Sequence, residues 1–293
     1  MANYDDLFDN QQPQEASPLP DQPFDKEAWA AQKKEQREGL FALADATTLD
    51  VAADPSRFTQ YLDMQARFDY SPTNALLVLA QRPDATQLGD LDHWKRERVF
   101  IKRDEMPNAI LILTPGKEYE RKDGGVGTSM DVKRVYDVSQ AERPRFQPVP
   151  KYDDKALVRA VVHASPVPVE GMDDLGGPDA QYSPEQGKIL VQRGMDAPAI
   201  IRAVAREACY SQMDTTAIDN AVFDSNAGAY LICKKFGVDV QDMSFPDVQV
   251  RFDGMEEAKD VRDTLSGIRN AAGEIAKSMA KELEPPKREA ERS

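Results

Sequence analysis

Histidine and cysteine are the scarcest reactive residues of this 293-residue chain, two of each: His93, His163, Cys209 and Cys233. So few cysteines exclude a disulfide framework. Both lie in apolar, helix-like surroundings where a free thiol behaves as a small hydrophobe, and a reducing cytoplasm is the expected setting. Long apolar runs are missing too. Ala109 to Leu113 is typical of the longest and falls far short of the ~20 residues that a membrane helix needs, so no membrane partner is expected. The N-terminal stretch, MANYDDLFDN, lacks the basic start and apolar segment of a secretory signal. Positive charge is also short, 37 Lys and Arg against 51 Asp and Glu, and the net −14 argues against non-specific duplex binding.

The remaining composition, 41% hydrophobic and 30% charged with 20 prolines, suits a globular chain with polar ends. Its length favours about two domains. The acid excess is uneven. Residues 1 to 55 carry 12 acids and 4 bases, residues 56 to 140 carry 13 of each, and residues 141 to 293 carry 26 acids and 20 bases. A neutral middle region therefore sits between acidic flanks.

Residues 1–55 read as an acidic, largely disordered arm with a mostly solvated helix over Lys26 to Ala44. Apolar residues at helical spacing, Phe58, Tyr61, Leu62 and Phe68, predict an amphipathic helix from Ser56 to Arg67. Ser71 supplies an N-cap with Pro72 at the first helical position, and that second helix ends at Pro83. Strand character follows at Val99 to Ile101, Ala109 to Leu113, Lys117 to Glu120 and Lys133 to Val138, with Asp123-Gly124-Gly125 as a hairpin turn. Gly124, Gly125 and Gly127 lack the helix and Lys-Ser/Thr ending of a phosphate loop. Proline-bearing Arg143 to Asp153 reads as a linker, which places domains at 56–142 and 153–284 and a disordered tail at 285–293. The second half predicts helices at Asp154 to Ala164, after the Asp196 cap, at Ile218 to Lys235 and at Glu256 to Leu283, with a short hairpin around Pro184 to Gly187. The fold class is α+β: a helix pair with a small antiparallel sheet, then a mainly helical domain.

Two constellations carry chemistry. In the first, Trp94, Lys95, Arg96, Arg98, Phe100, Lys102 and Arg103 interleave aromatic and basic side chains. Such mixtures bind single-stranded DNA by stacking bases and holding the backbone with cations. Equally, Trp94 and Phe100 are core residues and the charges a solvated strand face. Tyr70 and Asn74 flank a helix N-terminus, where free N–H groups meet phosphate, and Gln81 ends that helix; either amide can instead be a local cap. His93 can stack or simply pack. Tyr70-Ser71, Asn74, Leu76-Leu77, Gln81-Arg82-Pro83, Trp94 and the closing VYDVSQ of Val135 to Gln140 resemble, in order, the single-stranded-DNA-binding domain of ArdC-type antirestriction proteins and of LtrC-like proteins of conjugative elements. The resemblance spans Ser56 to Gln140. It implies Tyr70, Asn74, Gln81, Trp94, Lys95, Arg96, Lys102 and Arg103 as DNA contacts. The sequence departs from the family near Arg98, which stands where a glycine follows the tryptophan, and at Arg103-Asp104-Glu105, in place of a basic-glycine turn.

In the second constellation, the hairpin and two helices of the C-terminal half resemble the zincin-like metallopeptidase half of the same proteins, and Ser165 to Leu175 and Ala229 to Val240 resemble LtrC-like proteins. That fold needs two histidines four apart on one helix, a glutamate beside the first to activate the metal-bound water, and a carboxylate from the next helix. Here the motif reads Arg206-Glu207-Ala208-Cys209-Tyr210, with Asn226 at the carboxylate position. A guanidinium has no lone pair to donate, and a phenol, whose ordinary pKa is ~10, is a poor substitute for imidazole. Glu207 alone retains the general-base position. A packed helix with Arg206 and Glu207 in local ion pairs is expected, with no metal and no cofactor. A rescue site from Cys209, Asp224 and a histidine has no spacing in its favour.

The resemblance thus implies a cytoplasmic, mobile-element accessory protein that binds single-stranded DNA and counters host defence during conjugation, without enzymatic activity. Two alternatives stand beside it. One is an inhibitor of a host defence nuclease that uses acidic surface to imitate DNA; the other is an active zinc metallopeptidase.

Overall fold

A computed structural model describes residues 25–120, 124–146, 150–213 and 216–284. The disorder expected for residues 1–23 and for the tail, Asp123 of the expected turn, and residues 147–149 of the expected linker lie outside the described residues. The chain divides into two units, residues 1–35 and 36–293. In the first, residues 25–35 are exposed throughout and begin helix α1 (Lys26–Ala53), capped by Asp25, whose carboxylate accepts from the Glu27 and Ala28 N–H groups.

The second unit opens with the remainder of α1. This helix extends well past the expected Ala44 because Leu40, Ala44, Thr47, Thr48 and Val51 form a buried stripe at spacings of three and four. Two helices follow as the sequence predicts. In α2 (Pro55–Arg67), capped by Asp54, Phe58, Tyr61, Leu62 and Gln65 are buried; α3 (Pro72–Gln81) is capped by Ser71.

Strand β1 (Leu88–Gly89) and helix α4 (Leu91–Arg96) lead to a long hairpin of β2 (Ile110–Glu120) and β3 (Val126–Asp137). The antiparallel order is β1-β3-β2, with Leu111 opposite Arg134 and Leu113 opposite Val132. Two expectations change here. The strands expected at 109–113 and 117–120 are one strand, joined through an irregularity between Pro115 and Glu118. Val99 to Ile101 is no strand: α4 ends in a turn, and only a single bridge joins Ile101 to Ala141.

Past the proline-bearing segment come α5 (Asp154–Ala164), β4 (Val169–Met172), β5 (Ala180–Ser183) and β6 (Lys188–Gln192). The expected β5–β6 hairpin is joined by β4, a strand the sequence did not predict, which pairs parallel with β6. Four helices close the chain: α6 (Ala197–Tyr210), α7 (Ile218–Lys235), short α8 (Val248–Arg251) and α9 (Ala258–Leu283). Asp196 caps α6, and Gly237, at φ 74°, takes the left-handed turn that stops α7.

Apolar side chains from both sides of the 143–153 segment share one core. The rings of Phe58 on α2 and Phe223 on α7 lie 5.3 Å apart, with Phe245 5.2 Å and Phe252 6.0 Å from Phe58. Asp63 of α2 accepts from the Tyr230 hydroxyl at 2.7 Å and pairs with Lys234 at 2.8 Å. The α6–α7 crossing is close because Gly228 faces Cys209, where a Cβ would stand 2.8 Å from the sulfur. Among the described residues no helix is long and apolar enough to cross a membrane.

Candidate functional sites

The motif residues on α3 turn inward. Asn74 Nδ2 donates to Leu113 O at 2.8 Å and its Oδ1 accepts from Leu113 N at 2.9 Å. Gln81, two turns on, treats Leu111 in the same way, at 2.8 and 2.9 Å. Strand β2 is an edge, so these peptide groups have no neighbouring strand, and the two amides stand in for one. Asn74 and Gln81 are therefore sheet-edge caps, their amides committed to Leu113 and Leu111. Tyr70 is half-buried and stacks on Phe68 with ring centroids 5.8 Å apart; burial first, then the Asp90 charge, raises its phenol pKa.

Trp94 also turns inward. It is 5% exposed and its indole N–H donates to Tyr136 O at 3.0 Å, so no face of it is open to a base. Its position in helix α4, rather than on a strand, turns it into a cluster with Val99, Tyr136 and Val138. His93 packs edge-on to Trp94, and both lie over Gly89, where a Cβ would come within 2.2 Å of the imidazole.

The closing VYDVSQ is a buried polar knot. Asp137 is fully buried and its carboxylate accepts from the N–H groups of Thr86 at 2.6 Å, Gln87 at 2.9 Å and Ser139 at 2.9 Å. Burial alone would push this carboxyl up, but those donors outweigh it and hold the pKa below the ordinary value. Gln140 completes a capping box with Asp137 and reaches Glu105 and Asn108 O, each at 2.9 Å. Arg82 reaches Ser139 Oγ at 3.2 Å.

What remains open to solvent is the basic part of the run. Lys95, Arg96, Arg98 and Arg103 are exposed, Lys102 is half-buried, and Phe100 is 65% exposed. The run's backbone pairs with the end of the knot: Lys102 N donates to Gln140 O at 3.0 Å and Glu142 N to Phe100 O at 2.9 Å. The segment that follows this antiparallel pairing carries exposed Arg143, Arg145 and Phe146. Phe146 is 60% exposed. Reading Arg143 to Asp153 as a linker hid this second basic-aromatic group; its signal was the Arg143-Pro144-Arg145-Phe146 alternation.

In the C-terminal half, α6 carries Arg206, Glu207 and Tyr210. Arg206 Nη2 lies 2.6 Å from Asp179 Oδ1 and its Nε 2.8 Å from Glu207 Oε1. The other Glu207 oxygen accepts from Tyr182 N on β5 at 2.8 Å. Burial works against both charges of the Arg206–Asp179 pair, yet the mutual hydrogen bonds and attraction raise the Arg206 pKa and lower that of Asp179. The expected ion pairs of Arg206 and Glu207 are thus present, and they pin α6 to β5. Tyr210 is half-buried, and Asn226 on α7 gives its amide N–H to Val222 O at 3.0 Å.

The residues of the suggested rescue site are committed elsewhere. Cys209 is fully buried, burial first and then Cys233 pushing its thiol pKa far up. Asp224 takes both contacts of the Arg251 guanidinium at 2.7 Å, and His163 Nδ1 lies 3.1 Å from Glu282. Among the described residues no three His, Cys, Asp or Glu side chains gather as a metal site.

No protein-family model matches the sequence, and no curated protein matches it. Among solved structures, the chain is similar to the metal-free crystal structure of the antirestriction protein ArdC from plasmid R388. The TM-score is 0.56 at 14% identity, covering 82% of this chain and 98% of that one. The Mn(II)-bound structure of that protein covers 72% of this chain and 84% of its own, with a TM-score of 0.49 and 14% identity. The chain has the ArdC fold, α+β, through both its halves.

Proposed function

We propose that the protein binds single-stranded DNA through the face around Phe100 and acts in antirestriction, protecting transferred DNA from host defence without peptidase activity. The observation that carries this reading is an aromatic side chain left 65% exposed among Arg98, Lys102 and Arg103. A single exposed ring is ordinary on a protein surface, but one set among cations has the makeup of a stacking site, because bases stack on such rings while cations follow the phosphates. Lys95, Arg96, Arg143 and Arg145 extend the positive surface, and Phe146 offers a second ring. Fold similarity to an antirestriction protein supports the biological half of the reading.

That neighbour carries Mn(II) in one of its structures. The donor set here does not fit a divalent cation: a guanidinium already neutralised by Asp179 and Glu207 occupies the first ligand position, and an amide the third. No catalytic step is therefore assigned to Glu207.

The test is a fluorescence-anisotropy titration of a labelled single-stranded oligonucleotide at low and physiological salt. Wild type is expected to bind more weakly as salt rises. Phe100→Ala is expected to lose about 5- to 100-fold in affinity, the equivalent of ~1–3 kcal/mol of stacking. Absence of binding at low salt, or unchanged binding by Phe100→Ala and Lys102→Ala/Arg103→Ala, overturns the DNA half. Equal recovery of transferred DNA in a restricting host, with and without the protein, overturns the antirestriction half.

A further inference from the structure

The face opposite in character to the Phe100 surface lies at the start of α7 and on α8. Ile218 and Val222, one turn apart on α7, are 62% and 44% exposed, and Val250 on α8 is 75% exposed. Val222 and Val250 line a groove of about 390 Å³ that also borders Asp219 and Asp247. The two valines form the apolar rim of this groove, and nothing in their own helices requires it: polar residues would serve the exposed faces of α7 and α8 equally well.

The support beneath that rim is rigid. Asp224 and Arg251 join α7 to α8 by two 2.7 Å contacts, with the Arg251 side chain 8% exposed, while Phe245 and Phe252 are buried below. A groove held in shape before binding loses little entropy when it is filled. Its surroundings are acidic. Residues 239–260 hold seven acids and two cations, and both cations are engaged, Arg251 with Asp224 and Lys259 with Asp263. A phosphate backbone is repelled here, whereas Lys and Arg are attracted.

We infer that this groove is a protein-docking site for a basic segment that inserts an aliphatic side chain between Val222 and Val250 while its Lys or Arg neighbours meet Asp219 and Asp247. Charge complementarity and a desolvated apolar anchor are the two features of a binding hot spot inside a polar rim. The site is independent of the DNA-binding face, and each can fail without the other.

The experiment titrates the full chain with three synthetic peptides by calorimetry: an amphipathic lysine-leucine peptide, a lysine-only peptide of the same length, and the glutamate-leucine counterpart. The lysine-leucine peptide is expected to bind at least about tenfold more tightly than the other two. Val222→Lys/Val250→Lys is expected to abolish that binding while circular dichroism and single-stranded-DNA affinity stay at wild-type values. The exposed positions make the variant safe for folding, and Asp219→Asn/Asp247→Asn is expected to weaken binding in a salt-dependent way. Equal binding of the lysine-only peptide reduces the site to bulk charge and overturns the proposal. So does undiminished binding by the valine variant, absence of binding, or concentration-dependent dimerisation that this variant abolishes, which would make a second copy the occupant.

Discussion

The Trp94–Arg103 run and the Arg206–Asn226 helices are the two places where this sequence points at chemistry, and the fold treats them in opposite ways. In the first and the elements packed beside it, side chains turn inward: Trp94, Asn74, Gln81 and Asp137 all satisfy backbone groups. Phe100 and the neighbouring Arg98 and Arg103 instead stay exposed. In the second, Glu207 is tied to Arg206 and Tyr182, and Arg206 is tied to Asp179 as well. Residues in order along a chain thus leave two outcomes open, side chains turned into the scaffold and side chains left at a surface. The difference lies in whether the side chain's polar atoms face the protein or a ligand.

The sharpest test separates the two aromatics of the run. Trp94→Ala removes a buried indole and leaves Tyr136 O without its donor, and is expected to cost about 3–5 kcal/mol in denaturant unfolding. Phe100→Ala, at an exposed position, is expected to change stability by no more than about 0.5 kcal/mol while weakening DNA binding. If Phe100→Ala proves the destabilising change, the assignment of scaffold and surface is reversed.

A smaller effect tests the Arg206 ion pairs. Arg206→Met leaves Asp179 and Glu207 facing each other without their cation and is expected to cost about 2 kcal/mol. Adding Glu207→Gln should recover part of this, because the glutamine oxygen still accepts from Tyr182 N and the repulsion is gone. A double variant no more stable than Arg206→Met alone would mean that the guanidinium acts through packing and not through charge.

Acid stability probes both regions together. Asp137 and Asp179 have folded pKa values below those of the unfolded chain, so each stabilises fully above the unfolded carboxylate range of ~4 and loses that contribution as pH falls through its folded value. Asp137→Asn should lower stability at neutral pH and flatten the loss below pH ~4. Asp179→Asn, at a site 46% exposed, should flatten it less. Thermal unfolding from acid to neutral pH measures both, and an unaltered acid limb in Asp137→Asn would refute the argument that the Thr86, Gln87 and Ser139 donors hold this carboxyl ionised in the fold.

Much of this architecture was legible. Ser71, Asp196 and Gly237 marked helix ends by local chemistry, and the period of Phe58, Tyr61 and Leu62 marked a buried face. The ion pairs of Arg206 were legible because the neighbouring Glu207 limited its partners. What escaped was tertiary. Asn74 meets Leu113 across 39 residues and Gln81 meets Leu111 across 30, and no local pattern announces that an amide will cap an edge strand. Trp94 and Phe100 alternate with cations in the same run, so only the helical turn at α4 decides which ring goes inside. Strand β4 escaped because its parallel partner β6 lies beyond a loop and a hairpin turn.

The least energetic test bears most directly on why binding and scaffold differ. Arg98 has φ 56°, the left-handed conformation that costs a side-chain-bearing residue about 1 kcal/mol and that glycine adopts freely. It is the one non-glycine residue with a positive φ among the described residues, in the turn that ends α4. Arg98→Gly should raise stability by about 1 kcal/mol or less, since relief of the strain is partly offset by the greater freedom of the unfolded glycine. The same change removes an exposed cation beside Phe100 and should weaken binding of single-stranded DNA while reducing its salt dependence. Stability and affinity moving in opposite directions would identify Arg98 as a residue held in a strained turn for its charge. If both rise together, the arginine contributes nothing to binding and the positive surface begins at Lys102.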